Sequence, residues 1–553
     1  MTQLVTRQGQ QQLNFTNWLI TNEYESGDVV FKDNNIYISN AIIPANTPFT
    51  IGTTGETWKL AITGYNMDLD PPLLIASSGT GFGRCHTWGN RIFRAGSGDT
   101  ADMGNMYAGG MNNSDCTIEF TCLDELPESW VKIHDMRSNF YGLGSNGILY
   151  VSGHNSRGQT GLGEDEPVQY QVVQNHSPEF YGPGITVLNF WATDVLVNTH
   201  SYTCQCWVQV DDNGVIRLYS FGDNGWGCIG NGTESTIQFS PLEHPQMRDK
   251  LVKNININFF RNSDGGRGGL TVIVTEDGEV WNCGGNGDGQ MAAGHYENVL
   301  VLTRAKFNAT TYVTGAVDGI VSWHSGIATH ILLADGTVYS AGQNDKGRLG
   351  RGNIDGTLLP YYQQVLVAPN TPLTGVVKIK TGGQGLVALT GDGLVYATGE
   401  NNDGWWGNGQ SAYQAGNGYA AVKQGDIKDF WMSNSGRGFT AAYWLKKDNT
   451  FWASGGNHYY QLGVIGSDVT NNPILLRVPL PSGEYPVQFK WLGGYYATVG
   501  GSAGLIGGGA LMVSNKNKLY TWGKPYVSAS SVKNVDTPRF PHCIVDFYDP
   551  QQF

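Results

Sequence analysis

The side chains best suited to nucleophilic attack, proton transfer or metal binding are the 11 histidines and 8 cysteines, and their spacing organises none of that chemistry. Cys85, Cys116, Cys122, Cys204, Cys206, Cys228, Cys283 and Cys543 form no pair of C-x-x-C knuckles. Cys204-Gln205-Cys206 is too close and too solitary for a tetrahedral zinc site, so the cysteines read as buried free thiols. No histidine falls in an H-E-x-x-H pattern, and His154 and His458 read as solvated loop residues. Gly81-Phe82-Gly83, Gly382-Gly383-Gln384-Gly385 and Gly507-Gly508-Gly509 lack the lysine and the strand–loop–helix setting of a phosphate loop. Glu164-Asp165-Glu166 reads as an acidic loop, and no motif sets two carboxylates across a cleft as glycoside hydrolysis requires. The expectation is no catalytic residue, no metal site and no cofactor.

Binding chemistry has better candidates, and they come from a repeat. A skeleton of glycine, x, asparagine, then spaced glycines recurs after Gly153, Gly222, Gly284, Gly342, Gly399 and Gly455, with degenerate copies at Gly96 and Gly523. These eight anchors are spaced by about 56 to 69 residues. Slots between the fixed positions vary. The fourth position after the anchor holds Arg157, Trp226, Asp288, Lys346, Asp403 and Tyr459; the sixth includes Trp405. A variable slot presented alike by every repeat is one way to build a recognition surface, and aromatics are typical anchors. Trp226, Trp405 and Tyr459 are the ligand-binding candidates, against the alternative that they pack between neighbouring loops. Trp406 falls in the slot of Leu349 and Leu462 and is assigned to packing.

The elements that present these slots follow from the same periodicity. Three residues before each anchor stands an aromatic: Phe93, Tyr150, Tyr219, Trp281, Tyr339, Tyr396, Trp452 or Tyr520. The residue before it is always apolar, from Ile92 and Leu149 to Phe451 and Leu519. Neighbours on a strand face opposite ways, so both faces of this strand are expected to be buried. Asn146-Gly147, Asp277-Gly278, Asp335-Gly336 and Asp392-Gly393 upstream suit two-residue hairpin turns. The repeated asparagine is expected to hydrogen-bond the turn backbone. Radially stacked sheets bury both faces of such strands, which gives an all-β fold, a β-propeller.

The skeleton Gly342-Gln343-Asn344-Asp345-Lys346-Gly347-Arg348-Leu349-Gly350, after Val338-Tyr339, closely resembles the regulator-of-chromosome-condensation repeat. The resemblance covers roughly residues 65–553 and implies a propeller over 63–553. That family usually forms seven blades; eight anchors leave seven or eight open, since ring closure could join strands from both chain ends. Residues 1–62 lack the repeat. Their order of Trp18, Tyr24, Gly27-Asp28-Val29-Val30, Tyr37 and Trp58 resembles the small chitin-binding-like carbohydrate modules found in bacterial glycosidases and bacteriophage tail proteins. In such a module Trp18, Tyr24 and Tyr37 would stack on sugar faces, or form the core of a domain with little else to bury.

Composition narrows the partners. The formal charge is −13 with no basic run, which argues against nucleic acid. No run of about 18 apolar residues suggests a membrane span, and the first residues lack a signal pattern. The leading expectation is a non-enzymatic bacteriophage virion protein, either a tail fibre or receptor-binding protein or one that decorates the head, assembled in the host cytoplasm. Its partners would be other virion proteins and a host-surface glycan or protein, with homo-oligomerisation open. The alternative is an intracellular protein-binding regulator, a guanine-nucleotide exchange factor or protein inhibitor.

Overall fold

Alternation of buried apolar residues around each anchor glycine yields short antiparallel strands in groups of four. A computed structural model describes residues 129–524 with short breaks, together with strand segments between residues 2 and 119 and at 542–545. Among the described residues are eight four-stranded antiparallel sheets, each built from strands in chain order. Blade 1 spans 75–119, blade 2 130–174, blade 3 185–243 and blade 4 252–304. Blade 5 spans 316–364, blade 6 376–424, blade 7 427–477 and blade 8 486–545. Each anchor glycine stands within two residues of the end of a third strand, from Arg91–Gly96 to Leu519–Lys524. First strands of neighbouring blades touch one another, which places them innermost, around the axis. A separate five-stranded sheet lies within residues 2–62, where Tyr37 sits on the strand Asn35–Ser39.

The ring closes blade to blade. The strand Ile75–Ser77 of blade 1 packs against the first strands of blades 2 and 8, and Ile75 shares a buried cluster with Leu511, Val513 and Leu519. No sheet of the described residues mixes strands from the two chain ends, so the shared-sheet closure is not used.

Two local expectations change. The apolar position before the aromatic is fully buried in every described copy, but the aromatic is buried only in Tyr150, Tyr219 and Tyr520. Trp281, Tyr339, Tyr396 and Trp452 are half-buried. Polar tips explain this for the two tryptophans: the Trp452 indole N–H donates to Thr450 Oγ1 at 2.6 Å, and the Trp281 indole to Glu279 Oε2 at 2.9 Å. The Asx-Gly turns are three-residue loops rather than two-residue ones. Gly278 N–H donates to Thr275 O at 3.0 Å and Thr275 N–H to Glu279 O at 3.0 Å, with only the glycine at positive φ, 81°. The reason is the next blade. The carbonyls of Gly147, Gly278, Gly336 and Gly393 accept the N–H of Val187, Ala316, Val376 and Ile427 at 2.9–3.0 Å, so each turn also ties its blade to the following one.

Candidate functional site: the repeat turns and the channel

In a meander, the turn between strands one and two and the turn between strands three and four emerge on the same face. The repeat turns therefore share that face with the first hairpins. Their conformation follows from the asparagine. In six blades its Oδ1 accepts the N–H five residues on: Asn155 from Thr160, Asn224 from Ile229, Asn286 from Met291, Asn344 from Leu349, Asn401 from Trp406 and Asn457 from Leu462, all at 2.8–3.1 Å. In four of them Nδ2 donates to a carbonyl nine residues on, as Asn344 does to Asn353 O at 2.9 Å. Asn344 is buried, so Asn344→Ala strands a donor and an acceptor and should cost about 2–4 kcal/mol, read as a lowered urea midpoint. Asn344→Asp should not rescue it, since a carboxylate cannot donate.

The sixth slot closes the turn. Gln290 Nε2 donates to Gly285 O at 2.6 Å, and Trp405 Nε1 donates to the equivalent carbonyl, Glu400 O, at 3.0 Å. Trp405 is buried and meets Trp406 edge-on at 5.8 Å. It is a packing residue, and the expectation of an exposed ligand anchor there is corrected: its indole does what a glutamine amide does elsewhere.

The fourth slot joins neighbouring blades. Arg157 Nη1 lies 3.7 Å from Asp223 Oδ2, and Lys346 Nζ lies 3.8 Å from Glu400 Oε1. Asp288 accepts from Ile327 N–H at 3.2 Å, and Asp403 from Thr440 N–H at 2.8 Å. Trp226, at φ 61°, is half-buried against Gly268 and Gly285 of blade 4, where any Cβ would collide with its ring. Trp226 is thus an interblade contact with one remaining open side. Tyr459, Trp18 and Tyr24 lie outside the described residues, as does the side chain of Tyr37. Of the predicted site residues, Trp226 and Trp405 are described, and they stand on separate blades, 3 and 6.

The structure instead assembles a feature that sequence reading missed. Each first strand of blades 2 to 8 carries a bulge at one height, and the residue after it is polar: Lys132, Asn189, Asn254, Asp318, Lys378, Asp429 and Gln488. They ring the channel and bond in one direction around it. Lys132 Nζ donates to Asn189 Oδ1 at 2.9 Å, Asn254 Nδ2 to Asp318 Oδ1 at 2.7 Å, and Lys378 Nζ to Asp429 Oδ1. The bulge residue stands at the channel mouth opposite the repeat turns: an exposed lysine in blades 4 and 7, Lys253 and Lys428, half-buried Val317 in blade 5, and an exposed aliphatic in the other four. There Val131, Leu188, Val377 and Val487 are 59%, 39%, 61% and 52% exposed. The sequence signal is a tripeptide such as Val131-Lys132-Ile133 or Val377-Lys378-Ile379, masked by hairpins of unequal length between it and the anchor glycine. The hairpin of blade 3 uses strands of 14 and 12 residues, Ile185–Asn198 and Ser201–Asp212, whereas that of blade 7 uses six each, Ile427–Met432 and Ala441–Lys446. At about 3.3 Å per residue this raises a wall on one sector of the repeat-turn face. Among the described residues no group of three or more His, Cys, Asp or Glu could hold a metal, and no helix is long and apolar enough to cross a membrane.

With eight anchors on eight sheets and the asparagine turn repeated, a family model described as the regulator of chromosome condensation repeat matches residues 335–389. The chain thus carries a regulator-of-chromosome-condensation repeat and is similar to proteins built from it. This propeller is 27% identical to the human E3 ubiquitin-protein ligase HERC2 over 264 residues, 47% of the chain and 5% of that protein. It is 30% identical to the dog X-linked retinitis pigmentosa GTPase regulator over 155 residues, 28% of the chain and 14% of that protein. It is 28% identical to the bovine secretion-regulating guanine nucleotide exchange factor over 185 residues, 33% of the chain and 35% of that protein. The chain thus spans a minor part of these relatives. Among solved structures, yeast Prp20 bound to Kap60 aligns over 81% of the chain and 90% of its own, at 14% identity and a TM-score of 0.48.

Proposed function

We propose that this propeller is a non-enzymatic protein-binding ring, and that its role is structural, in a bacteriophage particle, as a tail-fibre, receptor-binding or head-decorating protein. The observation that carries the binding reading is the set of solvent-facing aliphatics, Val131, Leu188, Val377 and Val487, at the bulge position of blades 2, 3, 6 and 8, with exposed Lys253 and Lys428 at that position in blades 4 and 7. Soluble proteins seldom keep apolar side chains repeated on an open rim unless a partner covers them. The particle reading rests on the N-terminal five-stranded sheet, hydrogen-bonded separately from the blades, as an attachment point, and on its resemblance to modules of phage tail proteins. A second reading, an intracellular regulator, is favoured by relatives named as a GTPase regulator and an exchange factor.

Electron microscopy of native particles tests the first reading: density for the ring on a tail or head supports it, and a chain found only free in the lysate overturns it. Nucleotide release from a panel of small GTPases tests the second, and no acceleration removes it. In whichever assay succeeds, the double variant Val131→Asp, Val377→Asp should weaken association at least about tenfold with an unchanged melting temperature. Retained association would move the binding surface off these aliphatics.

A further inference from the structure

One step along each first strand from the polar ring, toward the repeat turns, lies a second ring: His134, Trp191, Asn256, Ile320, Lys380, Trp431 and Lys490 in blades 2 to 8. The basic groups fall on one arc, blades 6, 8 and 2, while Trp191 and Ile320 of blades 3 and 5 are buried in the core and Asn256 of blade 4 is neutral. No carboxylate stands in this ring.

Below it, the two aspartates of the first ring are engaged. Asp318 accepts from Asn254 and from Gly319 N–H at 2.9 Å, and Asp429 accepts from Lys378 and from Phe430 N–H at 2.8 Å. Lys132 donates to neutral oxygens, Asn189 Oδ1 and, at 2.5 Å, Phe190 O. Lys380 and Lys490 are open to the channel water and have no ion pair among the described residues. The lysines also feel one another. Enclosure within the ring, then the charge of Lys490, lowers Lys132 to about 8, and enclosure, then Lys380, lowers Lys490. A chain of formal charge −13 thus holds four channel lysines, Lys132, Lys378, Lys380 and Lys490, against the two aspartates Asp318 and Asp429, a net positive cluster between protein walls that focus the field.

We propose that the channel is a binding site for a compact polyvalent oxyanion, of the phosphate or polycarboxylate type, held between Lys132, Lys380 and Lys490 with His134 beside it. The site is distinct from the exposed aliphatics at the channel mouth and does not depend on what they bind. An anion of this kind supplies the acceptors and the negative charge that the second ring lacks at Lys380, Lys490 and His134.

The test uses the full chain at low ionic strength. Inorganic phosphate and, separately, citrate are titrated while the melting temperature is followed, against sodium chloride at matched ionic strength. A saturable rise with phosphate or citrate beyond the chloride control is expected, because a ligand that binds only the folded state stabilises it. Which anion acts at the lower concentration separates the two sources. Lys380→Met with Lys490→Met should fold at least as stably as the native chain without ligand, since repulsion is relieved, and should lose affinity by at least about tenfold. Amine acetylation followed by peptide mapping gives a readout that needs no variant: phosphate should protect Lys132, Lys380 and Lys490 and leave surface lysines such as Lys516 unchanged. A native chain with no rise beyond chloride and no protection overturns the proposal, as does a double variant that keeps the full shift.

Discussion

Gly342→Ala is expected to lose about 4 kcal/mol or more of folding stability, whereas Gly356→Ala should lose about 1 kcal/mol, both read by urea unfolding at equal protein concentration. The difference separates two costs. Both glycines have positive φ, 112° and 69°. At 69° an alanine meets only the strain of the left-handed region, because nothing lies within 4 Å of a Cβ on Gly356. At 112° even that region is left behind. A Cβ on Gly342 would also sit 2.8 Å from Ala328 Cα and closer still to Ile327 O, at the start of the second strand of its own blade. Backbone cannot yield there without breaking the ladder, since Gln343 N–H donates to Ile327 O at 2.9 Å. Gly284 and Gly455 repeat the geometry at 114° and 106°, against Leu270 and Ala441. Equal costs for Gly342→Ala and Gly356→Ala would mean that conformation alone, and not the close approach, selects glycine at the anchors.

The melting temperature is expected to hold between pH 8 and about 7 and to fall steeply from pH 6.5 toward 5, before most carboxylates titrate. Two histidines drive this. His330 lies between Ser340 Oγ at 2.7 Å and Ser322 Oγ at 3.1 Å, and His244 stacks on Trp207 at 4.8 Å with Ser220 Oγ at 2.8 Å. Both are buried, and burial lowers each to about 3. An unfolded histidine has its ordinary value of 6.5, so between 6.5 and 3 the unfolded chain binds more protons. Stability therefore falls as pH falls, by up to about 1.4 kcal/mol per pH unit for each histidine. From pH 6.5 to 5 the pair accounts for roughly 3 kcal/mol. His134 is lowered in the same direction by burial and by Lys490, but it borders the channel and should add less. His244→Asn with His330→Asn should flatten most of the slope. An unchanged slope in that variant would assign the acid sensitivity to other groups.

The histidines show why part of the molecule is not legible in the chain alone. His154 and His458 stand out because they sit beside the repeated asparagine, whereas His244 and His330 occupy no repeated position and acquire their properties only from burial. The turn slots teach the same point. Variation at the fourth position looks like a recognition code, yet Arg157 varies to meet Asp223, Lys346 to meet Glu400 and Trp226 to meet Gly285. Variation between repeats records the neighbour in the ring as readily as a ligand, and one chain read alone cannot separate the two.

The sequence by itself determined the repeat, the eight strand anchors and the asparagine turns. These depend on contacts within a few residues: glycine where φ is positive, a side chain that bonds five residues ahead, alternation that buries both faces of a strand. Tertiary structure alone decided that the ring closes with eight sheets. It alone buried Trp405, laid Trp226 against blade 4 and lined the channel with Lys132, Lys380 and Lys490. Those residues stand on different blades, separated by more than 100 residues in sequence, and hairpins of unequal length hide their common register. Only closing the ring brings their charges into one another's field.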